Sequence, residues 1–419
     1  MSTLTAALKT KRGRYAARAV FLAGFSATCM FCGYEFIRSS AESIFIAEFG
    51  AKAKVYALCF VPLMMGLLIY LYGRLLSAAG GARSMAGSIL ASIAVLALSF
   101  FALKTGLKAV AFFLYVFKES YIVIISEQYW SFINSTLRDE EGKVFNGPVA
   151  GLGALGSMIG GYIVSRYAAV LHTEPFILLC AFVMLPALAL FRAAYACAGE
   201  PKPEADEAGG RKGHLHLSIL KENRTVFYIA LIIFATQVVA TVLDLNFARL
   251  VQNALPDKDM RTAYLGGFWM KVNIFSFSLQ FLLAPFLLRR ISIRYIQVSI
   301  PAVHLGACAL LLIYPQLGVA ALAFLLFKGM DYSIFRASKE TLYIPFSYDT
   351  RYRAKQVADA FSYRFSKGFT ALVLSAASAV TVIPAVAYAA AGFVFSGVWM
   401  GLAFPLTRPR LEADGKDKG

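Results

Sequence analysis

Apolar runs of about 20 residues follow one another along almost the whole of this 419-residue chain, and about 20 residues is what an α-helix needs to cross a bilayer. Such runs fall near residues 17–38, 55–76, 85–104, 108–133, 144–166, 174–196, 225–247, 263–288, 295–314, 317–345, 357–382 and 384–405. The pattern predicts an all-α polytopic membrane protein with twelve transmembrane helices. Only 16% of the residues are charged, against about a quarter in a soluble domain, and the period-two alternation of a membrane barrel is missing.

The formal net charge of +17 would suggest nucleic acid in a soluble protein. Here its distribution explains it. With the N-terminus in the cytoplasm, the cytoplasmic segments hold about 25 Lys and Arg and the opposite loops about 8, as the positive-inside rule requires. Lys9, Lys11, Arg12, Arg14 and Arg18 open the chain, and Arg289, Arg290, Arg294, Arg351, Arg353 and Lys355 repeat the pattern later. Both termini are then expected in the cytoplasm, as an even number of spans demands, with the bilayer as partner and no nucleic acid. The basic N-terminus has no small-residue cleavage site after its apolar stretch, so that stretch reads as a first span. Cys29 and Cys32 form a CxxC inside it and read as packing.

Residues 199–217, "GEPKPEADEAGGRKGHLHL", are the one long polar stretch between spans. They read as a linker dividing an N-terminal six-helix half, 1–198, from a C-terminal half, 218–419. A faint repeat supports the division. Phe117-Lys118 matches Phe327-Lys328, Glu127 falls near Lys339, Lys143 near Lys355, and Glu35 opposite Asp244. Two helical halves of this kind form the major facilitator fold.

Charges at membrane depth are expensive, and here they concentrate in a few spans. Span one has Glu35, Arg38 and Glu42; span four has Lys118, Glu119 and Glu127; span seven has Asp244; span eight has Lys271. Span ten, "FKGMDYSIFRASKETLYIPF", has Lys328, Asp331, Arg336, Lys339 and Glu340, and span eleven has Arg364 and Lys367. Positions 35, 38 and 42, and 328, 331, 335 and 339, each share a helix face. A face that polar meets water or a partner charge. Two readings stand: ion pairs that lock helices together, or a cavity for an anion. No Walker motif, nucleophile elbow or metal-ligand cluster appears, so neither enzyme, cofactor nor metal is expected.

Span ten and the segment after it carry a resemblance. "DYSIFRASKETLYIPFSYDTRYRAKQVADAFSYRFSKG" resembles the signature of the bacterial and plastidic ATP/ADP translocases, through Tyr332, Ser333, Phe335, Lys339, Glu340, Tyr343, Ile344 and Pro345 and then Lys355, Asp359, Arg364 and Lys367. "YWSFINS" at 129–135 and the Gly-rich stretch after it resemble a second family region. The chain departs from the family where a span-one lysine falls on Ala41 and a span-seven lysine on Ala248, and where Asp331 and Arg336 look like a reversed Lys–Asp pair.

The resemblance implies a monomeric secondary transporter of the bacterial inner membrane that works by alternating access. Its solute would be an anion, by this likeness a nucleotide, through ATP/ADP exchange or nucleotide uptake. It implies Lys339 as a phosphate contact, and the candidate anion contacts beside it are Arg38, Lys118, Lys271, Arg364 and Lys367. Glu35, Glu42, Glu119, Glu127, Asp244, Asp331, Arg336 and Glu340 are the candidates for coupling or gating. Pro345 is expected to end span ten and leave a mobile cytoplasmic gate. The two lost lysines keep open a permease for a non-nucleotide solute.

Overall fold

A computed structural model describes residues 11–199, 219–343 and 363–407. The linker, Pro345, Lys355 and Asp359 lie outside the described residues, as does the side chain of Arg364. Among the described residues all regular structure is helical, which is how a chain in lipid satisfies every backbone N–H and C=O internally. The first helix, α1, is Lys11–Phe49. At 1.5 Å per residue it is about 58 Å long, nearly twice the hydrocarbon thickness, so it extends past the membrane.

The helix Lys54–Leu103 breaks at Gly80, which stands at φ 78° and ψ 175°. That backbone suits glycine because a Cβ would clash. The arms 54–79 and 81–103 are α2 and α3. They are followed by α4 (Lys108–Thr136), α5 (Asp139–Leu171) and α6 (Pro175–Ala198). Then come α7 (Arg224–Ala254), α8 (Lys258–Arg290), α9 (Ile293–Ile313) and α10 (Leu317–Leu342). The last two are α11 (Tyr363–Val380) and α12 (Ala385–Leu406). Ten described helices are long and apolar enough to cross a membrane; separating the arms of the second and adding the shorter Phe365–Val380 gives the twelve that the apolar runs predict.

The chain forms two compact units. The first takes α1–α6 together with Val251–Phe277; the second takes α7 as far as Leu250 and the chain from Ser278 onward. In the first unit α1 runs through the middle, packed on α4, α5 and α6. Its core is built from Ala19, Ala23, Ile37, Leu114, Phe132, Phe176 and Phe191, all at most 1% exposed. Small residues permit the close approach of α1 and α5: a Cβ at Gly156 would lie 2.1 Å from the Thr28 carbonyl oxygen, and one at Gly160 2.5 Å from that of Cys32. On the other face of α5, Gly161 meets Met270 and Gly266 of α8. In the second unit α9 packs on α12 and α10, and Trp399 is 1% exposed beside His304 and Phe335.

Two helices carry π turns. In α8 it covers Leu279–Leu283, starting one residue after the chain passes from the first unit to the second. In α10 it is Asp331–Phe335, inside the charged stretch. Single π turns within α-helices widen the backbone locally and occur often at functional sites.

Candidate functional site

The charged face of α1 is buried in the first unit and divides into two clusters. The cluster toward the end of α1 centres on Glu42. Its carboxylate pairs with Lys54, the first residue of α2, and with Lys118 of α4, whose Nζ is 3.3 Å from Oε2. Lys118 also donates to Glu119 Oε1 at 2.8 Å and lies 4.5 Å from the Tyr115 ring centroid. The side chains of Lys54 and Lys118 are each 1% exposed. Charges so deeply buried persist only when paired and hydrogen-bonded.

The second cluster lies one to two helical turns earlier on α1. The Arg38 guanidinium lies with its carbon 3.2 Å from the Trp269 ring centroid and 5.5 Å from that of Tyr34. Its Nη1 reaches Glu35 Oε1 at 3.4 Å, and the same oxygen accepts a 3.0 Å bond from the Asn273 amide. Glu35 Oε2 is buried with no hydrogen-bond partner among the described residues. Trp269 and Asn273 are i, i+4 on α8 and therefore share a face. Lys271, two residues past Trp269, turns to the other side and is exposed. The six charges of the two clusters balance, Arg38, Lys54 and Lys118 against Glu35, Glu42 and Glu119.

The end of α8 beyond this site is tied to the α5–α6 connection. Asp259 accepts from the Thr173 backbone N–H at 2.8 Å and from its hydroxyl at 2.6 Å, and it lies 2.7 Å from His172 Nδ1. Lys258 pairs with Glu174. Arg261, 2% exposed, donates to the carbonyls of Pro256, Leu255 and Ser43.

The second unit holds its own charged stretch. Asp331 is half-buried at the start of the π turn of α10, with Lys328, Arg336 and Lys339 as its charged neighbours on the same helix. Lys328 lies between the Phe324, Phe327 and Tyr332 rings, 5.4–5.8 Å from their centroids. Lys339 is half-buried in the last turn, while Arg336 and Glu340 are exposed. Asp244 on α7 and Lys367 on α11 are half-buried, and Glu127 on α4 is exposed. Ala41 and Ala248, where the translocase lysines fall, are 0% and 1% exposed; no cation occupies either position.

The structure thus gathers Glu35, Arg38, Glu42, Lys118 and Glu119 in one unit and Asp331, Lys328, Arg336 and Lys339 in the other. Sequence reasoning missed Lys54, Trp269 and Asn273. Lys54 reads as a loop cation, one residue before an apolar run. Trp269 and Asn273 carry no signal except their spacing, which repeats that of a buried helix face. Among the described residues no group of three His, Cys, Asp or Glu could hold a metal, and the described cysteines are all free thiols.

No protein-family model matches the chain, and no curated protein matches it in sequence. Solved structures do match it in fold. The nucleoside transporter NupG superposes with a TM-score of 0.58 at 13% identity, over 94% of this chain and 98% of that one. A bacterial homologue of the iron transporter ferroportin, in its inward-facing state, gives 0.66 at 13% identity over 94% and 99%. A D-xylose–proton symporter gives 0.65 at 13% over 92% and 97%. The chain has the major facilitator fold. At this identity the likeness is one of architecture, and it spans nearly the whole of each neighbour.

Proposed function

We propose that the chain is a secondary active transporter that carries a small organic anion, nucleotide or nucleotide-like, by alternating access. One observation carries this reading: inside a membrane-spanning bundle, the Arg38 guanidinium carbon lies over the Trp269 ring, 3.2 Å from its centroid, and Nη1 reaches Glu35 Oε1 at 3.4 Å. A guanidinium held by its face keeps its N–H edge directed for planar recognition of a phosphate or carboxylate. The rings of Trp269 and Tyr34 beside it offer faces on which a base can stack. Within the second unit, Lys339, with Arg364 and Lys367 on the next helix, is a candidate anion contact on the strength of the "SKETLYIP" likeness to the nucleotide translocases. The protein sits in the bacterial inner membrane as a monomer with both termini inside.

The test is uptake of a labelled nucleotide panel (mono-, di- and triphosphates and free nucleosides) into proteoliposomes. Uptake of at least one nucleotide, lost on Arg38→Ala, is expected. No uptake of any, with saturable uptake of an unrelated solute, refutes the nucleotide part. The charge balance of the first unit favours a second reading. Three cations facing three carboxylates leave little surplus for a triphosphate, which carries close to four charges, and the two lysine positions of the translocases hold alanine. That points to a solute of lower charge, in the limit a non-nucleotide one, and the same panel decides between them.

A further inference from the structure

We infer that His304 and Cys308 of α9 hold one soft monovalent metal ion, of the class of Cu(I), at a site separate from the residues proposed for the anion. The inference does not depend on the transporter reading. His304 is 1% exposed, and neither of its ring nitrogens has a hydrogen-bond partner among the described residues. Whichever nitrogen carries the proton, the other presents a bare lone pair. A buried polar atom of this kind is costly unless something meets it. Cys308, 0% exposed and a free thiol, stands one turn later on the same helix face. Residues i and i+4 of a helix have Cβ atoms about 5–6 Å apart. Helical side chains lean toward the N-terminus, so the Cys308 sulfur leans back over the His304 ring. Two ligands at i and i+4 on one helix can hold a metal together.

The surroundings choose the ion. The His304 ring centroid lies 5.1 Å from that of Phe327 on α10 and 5.4 Å from that of Trp399 on α12. Facing Cys308, α12 presents Gly392, where a Cβ would lie 3.0 Å from the sulfur, and the hydroxyl of Ser396. Among the described residues no third His, Cys, Asp or Glu completes a group with the pair. Structural zinc takes four ligands, and calcium and magnesium take sets of oxygens, so this pair serves none of them. Thiolate selects Cu(I), and imidazole suits copper as well.

Charge balance decides the oxidation state. The thiolate is the form that binds a metal, and binding releases its proton. The Cys308 S–H bond breaks, a sulfur–metal bond forms and the proton goes to water. His304 gives a lone pair to the ion and keeps the proton on its other nitrogen. With a monovalent ion the site is neutral before binding and neutral after it. A divalent ion would leave a net positive charge between Phe327 and Trp399, and an uncompensated buried charge is strongly disfavoured. The step needs neither oxidant nor reductant, because the ion arrives and stays in one oxidation state.

Ag(I), soft, monovalent and stable in air, is the probe. The purified full chain is loaded with Ag(I), washed with free methionine to strip weakly held silver, and the metal that remains is counted by elemental analysis. Wild type is expected to retain one equivalent more than His304→Leu and one more than Cys308→Ala, with metal-free melting midpoints showing that each variant is folded. Comparing variants removes the silver held by the other five cysteines. Equal silver in wild type and both variants overturns the inference, since those thiols then account for all of it. If His304→Leu folds poorly, His304→Met carries the test, because a thioether returns a soft donor. Silver retained by His304→Met and lost from Cys308→Ala is then expected, and equal silver in the two overturns the site. Loss of the extra equivalent to excess Zn(II) overturns the choice of a monovalent ion.

Discussion

Replacing Lys118 by Met separates a structural lock from a solute contact. The side chain is 1% exposed, its Nζ lies 2.8 Å from Glu119 and 3.3 Å from Glu42, and Tyr115 covers it from one side. Removing one partner of a buried ion pair costs about 3–5 kcal/mol, because the other charge is stranded. Here the lower end applies. Glu42 retains Lys54, and the Glu119 side chain is 21% exposed and reaches solvent. A loss of about 3 kcal/mol lowers the thermal midpoint of a chain this size by roughly 5 °C, readable by thiol-reactive dye or circular dichroism in detergent. Neutralising Glu119 as well should return about 1 kcal/mol, since the stranded charge goes with its partner. Lys118→Arg should melt near wild type. If Lys118→Met melts like wild type and loses uptake, Lys118 is a solute contact and the argument for a lock fails.

Three further outcomes follow from the packing and from the charged stretch of α10. Gly156→Ala places a Cβ 2.1 Å from the Thr28 carbonyl, which forces α1 and α5 apart and costs about 2–3 kcal/mol; an unshifted melting midpoint refutes the close approach. Lys339→Ala should remove uptake with the fold and membrane insertion intact, and Lys339→Arg should leave part of it, because the charge stays while its shape changes; wild-type uptake in Lys339→Ala ends that assignment. Asp331→Lys strands a cation beside Lys328 and Lys339 and should destabilise more than Asp331→Lys with Arg336→Asp, which restores one opposite charge; a double mutant no better than the single shows that Arg336 is too distant to matter.

The membrane architecture was legible because lipid admits so few solutions. A run of about 20 apolar residues in a bilayer is a helix whatever its neighbours do, so the twelve runs are consistent with the ten described spans once the second is divided at Gly80 and the shorter Phe365–Val380 is added. What composition does not carry is backbone detail. The break between α2 and α3 falls at Gly80, but Gly73, Gly81 and Gly87 stand nearby, and only the folded chain selects which one takes φ 78°. The π turns at 279–283 and 331–335 leave no composition mark either, since one extra residue per turn shifts a helix face without changing its hydrophobicity. Nor does the chain order reveal that Val251–Phe277 packs with α1–α6.

For the site, the pattern of charges singles out helices and leaves each residue's duty open, and the reason is physical. Helical spacing says which residues share a face, not what stands opposite. Lys118 and Arg38 look alike in sequence, two cations on polar faces of apolar spans, yet one has two carboxylates within 3.3 Å and the other an indole. The difference comes from residues far away in the chain. Glu42 is 76 positions before Lys118, and Asn273 is 238 positions after Glu35. A cation met by two anions is a fastener, because moving it strands both. Arg38 is set differently, over an indole face and with its Glu35 contact at 3.4 Å. That asymmetry is why the proposed anion contact is Arg38 and not the more deeply buried Lys118.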